Sequence, residues 1–149
     1  MRPIAVFDTN VWLSGIGWKG QPFQCVELAR SGAIEAVTCQ EIVEELTEKL
    51  QERLAFTAEQ IAETLADLLS FSHMVEITNE LRVIDADPDD DKVLECAVLA
   101  NATHVVSGDH KHLLPIGTFQ SIPIMTPAEF LRGLNLPSPT TNSTPNWTA

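Results

Sequence analysis

Ile4-Ala5-Val6-Phe7-Asp8-Thr9-Asn10 carries four apolar residues straight into an aspartate. A short, uninterrupted apolar run reads as a strand buried on both faces. Residues 9–14 then read as a short helix or turn, which leaves Asp8 at the strand's C-terminal end. Val105-Val106-Ser107-Gly108-Asp109 repeats the arrangement later in the chain, with residues 104–107 as a strand and an acid just beyond it. Acids at the C-terminal ends of two strands matter because that edge of a parallel sheet is where α/β proteins build sites.

Working outward, Gly15, Gly17, Gly20 and Pro22 mark a loop, and residues 23–30 a helix that Ser31-Gly32 stops. Residues 33–38 predict a second strand. Gln40 to Leu54 predicts a strong helix with Ile42, Val43, Leu46 and Leu50 as its inward stripe. Glu44 falls nearly opposite that stripe and Glu45 at its edge. Thr57 and Gln60 sit at the N-cap and N3 positions of a capping box, opening a helix over 57–69. Residues 74–77 read as a third strand. Asp87-Pro88 is a favoured helix start, and Val93, Leu94, Ala97, Val98 and Ala100 define that helix's buried face. At about 100° per residue, Asp90 is predicted near the centre of the face and Asp91 well away from it. Residues 122–125 give a fifth strand, and Thr126-Pro127 caps a last helix through Leu134. Strands separated by helices predict a parallel sheet covered on both sides. The expected organisation is one domain over 1–134 and a disordered Pro/Ser/Thr/Asn tail over 135–149.

The composition narrows the function classes. No stretch approaches the roughly 20 apolar residues of a membrane span, so no membrane partner is expected. Met1-Arg2-Pro3 runs directly into the first strand without the features of a secretory leader, so a cytoplasmic chain is expected and Asn142 and Asn146 are not expected to be glycosylated. Cys25, Cys39 and Cys96 match no metal-binding spacing and read as reduced, packed thiols. The net charge of −12 lacks the basic footprint of a simple nucleic-acid binder, so cations or a basic partner would have to offset repulsion from RNA or DNA.

Three motifs, taken in order, resemble those of the PIN domain family. Val6-Phe7-Asp8-Thr9-Asn10-Val11 is similar to the family's first strand ending in Asp-x-Asn. Glu41-Ile42-Val43-Glu44-Glu45-Leu46 resembles the helix that supplies a glutamate, with Glu44 or Glu41 as alternatives to Glu45. Asp87-Pro88-Asp89-Asp90-Asp91 through Val105-Val106-Ser107-Gly108-Asp109 resembles the acid-initiated helix, the strand and the closing Ser/Thr-x-Asp. The resemblance implies a three-layer α/β/α sandwich with a five-stranded parallel sheet in the order 3-2-1-4-5, which sets Asp8 beside Asp109. It further implies a divalent-metal-dependent endoribonuclease that hydrolyses phosphodiester bonds in RNA, of the kind found as the toxin of a toxin–antitoxin pair.

On this reading Asp8, Glu45, Asp90 and Asp109 hold one or two Mg²⁺ or Mn²⁺ ions, because hard cations take oxygen ligands. Such ions lower the pKa of a water and neutralise the phosphate. Thr9, Asn10 and Ser107 match positions that orient ligands or contact phosphate. Each residue also has a plainer role: Asp8 as a helix cap, Glu45 as a solvated helix acid, Asp90 as a dipole acid, Asp109 as a turn acid, and the short polar residues as local backbone partners. His110 and His112 are expected in an exposed loop. Lys19, Lys92 and Lys111 read either as substrate contacts near the catalytic edge or as surface charges that confer solubility. A homodimer is expected, with Leu54, Phe56, Leu65 and Leu68 as surplus apolar surface, and a cognate antitoxin is the implied protein partner. Asn10, where a HAD-type phosphatase needs a second acid, sets that fold aside. The remaining alternative is a catalytically silent module of the same fold, acting by binding protein or RNA.

Overall fold

A computed structural model describes residues 2–81 and 90–134. Its strands are β1 (Ile4–Phe7), β2 (Glu35–Thr38), β3 (Ser72–Met74), β4 (His104–Val106), β5 (Thr118–Phe119) and β6 (Ile122–Met125). Its helices are α1 (Thr9–Gly17), α2 (Gln21–Ser31), α3 (Gln40–Leu54), α4 (Ala58–Ser70), α5 (Asp91–Leu99) and α6 (Pro127–Gly133). They form a three-layer α/β/α sandwich whose sheet runs β3-β2-β1-β4-β6-β5. The order 3-2-1-4-5 is present with β6 as its fifth parallel strand.

The sixth strand is the two-residue β5, antiparallel to β6 on the outer edge. Gln120 and Ser121 connect them with positive φ angles of 49° and 69°. That is the backbone of a primed two-residue hairpin turn, usually signalled by Asn-Gly or Asp-Gly. Gln-Ser carries no such signal, so the hairpin was invisible in the sequence.

Two further boundaries move. β3 begins and ends earlier than 74–77, because the chain turns as soon as α4 ends: the Ser72 hydroxyl donates to the Leu68 carbonyl at 2.9 Å. α1 continues through Gly17 rather than ending at Ser14. Gly15 belongs to this helix and not to a loop: a Cβ there would lie 2.8 Å from Val26 Cγ2, so the glycine lets α1 and α2 approach closely. α5 is described over Asp91–Leu99 with Asp90 as its N-cap, and the expected helix start at Asp87-Pro88 is not among the described residues. Asp87, Pro88, Asp89 and the tail from Asn135 lie outside the described residues.

Elsewhere local chemistry and structure agree. α3 occupies Gln40–Leu54 as expected, with Ile42, Leu46 and Leu50 buried one turn apart. The capping boxes at Thr57/Gln60 and Thr126/Glu129 are both formed. Gly32 ends α2 at φ 87°, the left-handed conformation that glycine adopts without strain. Phe7 anchors the core, edge-on to Trp12 at 5.0 Å and to Phe130 at 6.4 Å between ring centroids. All three cysteines are buried and free. Of the apolar residues expected to be surplus on α3–α4, Leu68 is buried and Leu54, Phe56 and Leu65 are half-buried against the core. No described helix is long and apolar enough to cross a membrane.

Leu46 is fully buried and immediately follows Glu45, so it couples the core to the site. Leu46→Ala is expected to lower unfolding free energy by about 2–5 kcal/mol in urea titrations. A loss under about 1 kcal/mol would mean that α3 is not held as described.

Candidate active site at the carboxyl edge of the sheet

β1 and β4 are neighbours, paired in parallel from Ala5↔His104 to Phe7↔Val106. The chain leaves β1 toward β2 on one side and reaches β4 on the other, so the crevice beyond their C-terminal ends is the topological switch point of the sheet. The Asp8 amide extends the ladder by one step, donating to the Val106 carbonyl at 3.0 Å. A cavity of about 460 Å³ opens there, and Asp8, Glu45, Asp90 and Asp109 all line it.

Asp8 is 5% exposed. Its Oδ1 accepts the Val11 amide at 3.0 Å, so it caps α1 as well as facing the cavity. Its Oδ2 accepts the Ser107 hydroxyl. Burial pushes the carboxyl above its ordinary range, against the pull of the Ser107 and Val11 hydrogen bonds, and the charges of Asp109 and Glu45 push it further. Ser107 is buried and does double duty, since its oxygen also accepts the Asp109 amide at 2.9 Å.

Asp109 shapes the loop beyond β4. Its Oδ1 accepts the amides of Lys111 and His112 at 3.1 and 3.2 Å, and its Oδ2 accepts Leu113 at 3.2 Å. Burial raises its pKa, but the Asp90 side chain and these amides outweigh burial and hold it below the ordinary value. The fully buried Leu113 fixes the loop to the core. His112 therefore does not stand in an exposed loop as expected: its Nδ1 lies 3.6 Å from Asp90 Oδ2 and 3.7 Å from Asp109 Oδ2. His110 is exposed.

Glu45 is the acid of its helix that reaches the cavity. Glu44 is exposed and accepts from Gln40, while Glu41 accepts from Asn79. Glu45 Oε1 accepts the Thr9 hydroxyl at 2.8 Å and the Lys92 ammonium at 2.7 Å, with Lys49 3.8 Å from Oε2. Burial works to raise its pKa, but Lys92 and Thr9 prevail and lower it. Asn10 is exposed on the cavity wall. Lys111 lines the cavity, and so does Lys49, which sequence reasoning passed over. Lys19 does not; it sits over the Phe23 ring.

The largest departure concerns α5. Asp91, expected to point away, is 3% exposed, whereas the Asp90 side chain is 22% exposed. The single buried stripe fails here because α5 buries a second face: Asp91 and Glu95 are both buried within it, while Asp90 precedes the α-helix. Asp91 and Glu95, four residues apart on one face, line a second cavity of about 600 Å³ beside α3. Glu95 is buried and its Oε2 accepts the Thr78 amide and hydroxyl at 2.6 and 2.7 Å and the Asn79 amide at 3.2 Å. Burial raises its pKa, and these donors more than reverse the rise. A glutamate inside the stripe Val93-Leu94-Glu95-Cys96-Ala97 was the signal that would have found it.

The donor set fits a divalent cation. One oxygen each from Asp90 and Asp109 and one nitrogen of His112 lie within 4.8 Å of one another. The buried Asp8 carboxylate beside them has two donors and a raised pKa, the condition a nearby cation relieves.

The PIN domain family model matches residues 5–111, and the chain belongs to that family. No curated protein matches. Among solved structures, the chain is similar to one in the crystal structure of VapBC2 from Rickettsia felis bound to a DNA fragment from their promoter, at TM-score 0.54 and 17% identity, covering 82% of this chain and 96% of that one. It is also similar to the T. brucei RRP44 PIN domain, at TM-score 0.49 and 15% identity, over 89% of this chain and 81% of that one.

The electrostatics predict opposite effects from two substitutions. Asp8 has a raised folded-state pKa, so its ionisation costs stability as pH rises from the unfolded value through the folded one. Glu45 has a lowered pKa, so its contribution is complete above the unfolded value and is lost as pH falls through the folded one. In EDTA at neutral pH, Asp8→Asn is therefore expected to raise the melting temperature and Glu45→Gln to lower it. The Asp8→Asn gain should vanish at the acid end of the scan. A lower melting temperature for Asp8→Asn at neutral pH would contradict the crowded, buried carboxylate.

Proposed function

We propose that this chain is a divalent-metal-dependent endoribonuclease, using Mg²⁺ or Mn²⁺ to hydrolyse phosphodiester bonds in RNA. The observation that carries the reading is the convergence of Asp8, Glu45, Asp90 and Asp109 on one cavity at the switch point. Membership of the PIN domain family supports it, since such domains are generally nucleases. The proposed biological role is the toxin of a toxin–antitoxin pair, cytoplasmic and partnered by an antitoxin. That role rests on the likeness of the three motifs to toxin-type members of the family.

The ion, when bound, supplies a water of lowered pKa and neutralises charge on the phosphate. The protein's own residues do the positioning. Asp8 is held by the rigid sheet and by Ser107, and Asp109 by its three backbone amides. Thr9 fixes one oxygen of Glu45. Thr9 and Ser107 hydrogen-bond to carboxylates, and Asn10, exposed on the cavity wall, is the proposed contact to a phosphate oxygen. Lys49 and Lys111 bring positive charge to a strongly acidic crevice, where it lowers the repulsion that a polyanion meets on approach.

Labelled RNA incubated with purified protein is expected to be cut with Mg²⁺ or Mn²⁺ and to remain intact in EDTA. Asp8→Asn and Asp109→Asn should each reduce cleavage by ~100-fold or more, as expected when a ligand of the reacting ion is lost. Asp8→Asn separates charge from shape, because the same substitution is expected to stabilise the metal-free fold. Cleavage that persists in EDTA, or equal cleavage by wild type and Asp8→Asn, would overturn the reading. The same preparation is expected to scatter light as a homodimer at micromolar concentration.

The ion pairs at Glu45 favour a second reading. Lys92 and Lys49 already satisfy part of the acidic set. A silent module that binds protein or RNA would retain such pairs and cut nothing. Tight Mn²⁺ binding without cleavage of any structured or single-stranded RNA would favour it.

A further inference from the structure

We propose that His112 Nδ1 is a ligand of the divalent ion held by Asp90 and Asp109, and that this nitrogen makes the centre selective for Mn²⁺ over Mg²⁺. The inference deepens the metal-dependent reading above and rests on it.

The first argument is distance. His112 Nδ1 lies 3.6 Å from Asp90 Oδ2 and 3.7 Å from Asp109 Oδ2. Both separations exceed a hydrogen bond. Metal–ligand bonds of about 2.0–2.2 Å place two ligands of one ion about 3–4 Å apart. His112 Nδ1 therefore stands from each carboxylate at the spacing of two ligands of one cation, and the three groups offer ligand atoms within 4.8 Å of one another.

The second argument is how the ring is held. Asp109 Oδ1 accepts the His112 backbone amide, and Asp109 Oδ2 accepts that of Leu113. The residue on one side of the histidine is a carboxylate-bound turn, and on the other side is a side chain fully buried in the core. The imidazole is thus presented to the cavity by a constrained backbone and stays about a quarter exposed.

The third argument is donor chemistry. Mg²⁺ demands oxygen and releases water reluctantly, whereas imidazole suits the transition metals. Replacing one oxygen of an all-carboxylate set by nitrogen shifts preference toward Mn²⁺ and the later ions. Asp8 and Glu45 leave the centre rich in oxygen, which keeps Mn²⁺ a better match than a thiolate-seeking ion.

Pulsed electron paramagnetic resonance on the full chain with one equivalent of Mn²⁺ reads the ligand directly. Wild type is expected to show the ¹⁴N coupling of a coordinated imidazole, and His112→Ala to lose it. Calorimetric titration should find Mn²⁺ affinity lowered by ~10-fold or more in His112→Ala, with Mg²⁺ affinity changed by less than about threefold. His112→Asp, which returns an oxygen donor, should narrow the Mn²⁺/Mg²⁺ preference and serves if the alanine variant fails to fold. Mn²⁺ bound by wild type without nitrogen coupling, or coupling that persists in His112→Ala, would overturn the inference while leaving metal-dependent cleavage standing. No Mn²⁺ binding by wild type would overturn both.

Discussion

A carboxylate at the end of a central strand loses most of its hydration, and the arrangement around Asp8 follows from that loss. Two donors meet it, the Val11 amide at the start of α1 and the Ser107 hydroxyl at the end of β4. The first ties the charge to a helix N-terminus, where the macrodipole favours it. The second ties β1's acid to β4's, because the same Ser107 oxygen accepts the Asp109 amide. Neither donor offsets burial fully, so the Asp8 carboxyl stays raised.

The other acids are balanced differently. Glu45 and Asp109 both have depressed pKa values, Glu45 through Lys92 and Thr9, Asp109 through Asp90 and three backbone amides. One crevice thus holds carboxylates of opposite tendency, a pattern more often found at functional sites than on solvated surfaces. It also places the chain's excess of acid in context. The formal charge of −12 repels a polyanion overall, yet Lys49 and Lys111 stand at the crevice itself. A divalent ion there would add charge of the same sign where a phosphate would arrive.

Much of this was legible in the sequence because it depends on local rules. Apolar runs ending in acids placed Asp8 and Asp109 at strand ends, the family resemblance set those ends side by side, and the stripe Ile42, Leu46, Leu50 gave α3 and the edge position of Glu45. Capping chemistry located the starts of α4 and α6. What escaped depends on non-local or irregular geometry. Asp91 shares a face of α5 with Glu95 and both are buried, so a wheel drawn with one buried stripe missed that face. Glu95 is buried because the chain after β3 brings Thr78 and Asn79 to it from 17 and 16 residues away. His112 turns inward because Asp109 gathers the amides beyond it, and β5 forms on a turn without the usual turn residues.

The central claim is that the crevice between β1 and β4 is a cation site shared by Asp8, Asp90 and Asp109. Crystals grown with Mn²⁺ and measured at the manganese absorption edge test it most directly. The account predicts an anomalous peak in this crevice, about 2.0–2.2 Å from an oxygen of Asp90 and one of Asp109. A peak confined to the neighbouring cavity beside Asp91 and Glu95, or none at saturating Mn²⁺, would contradict it.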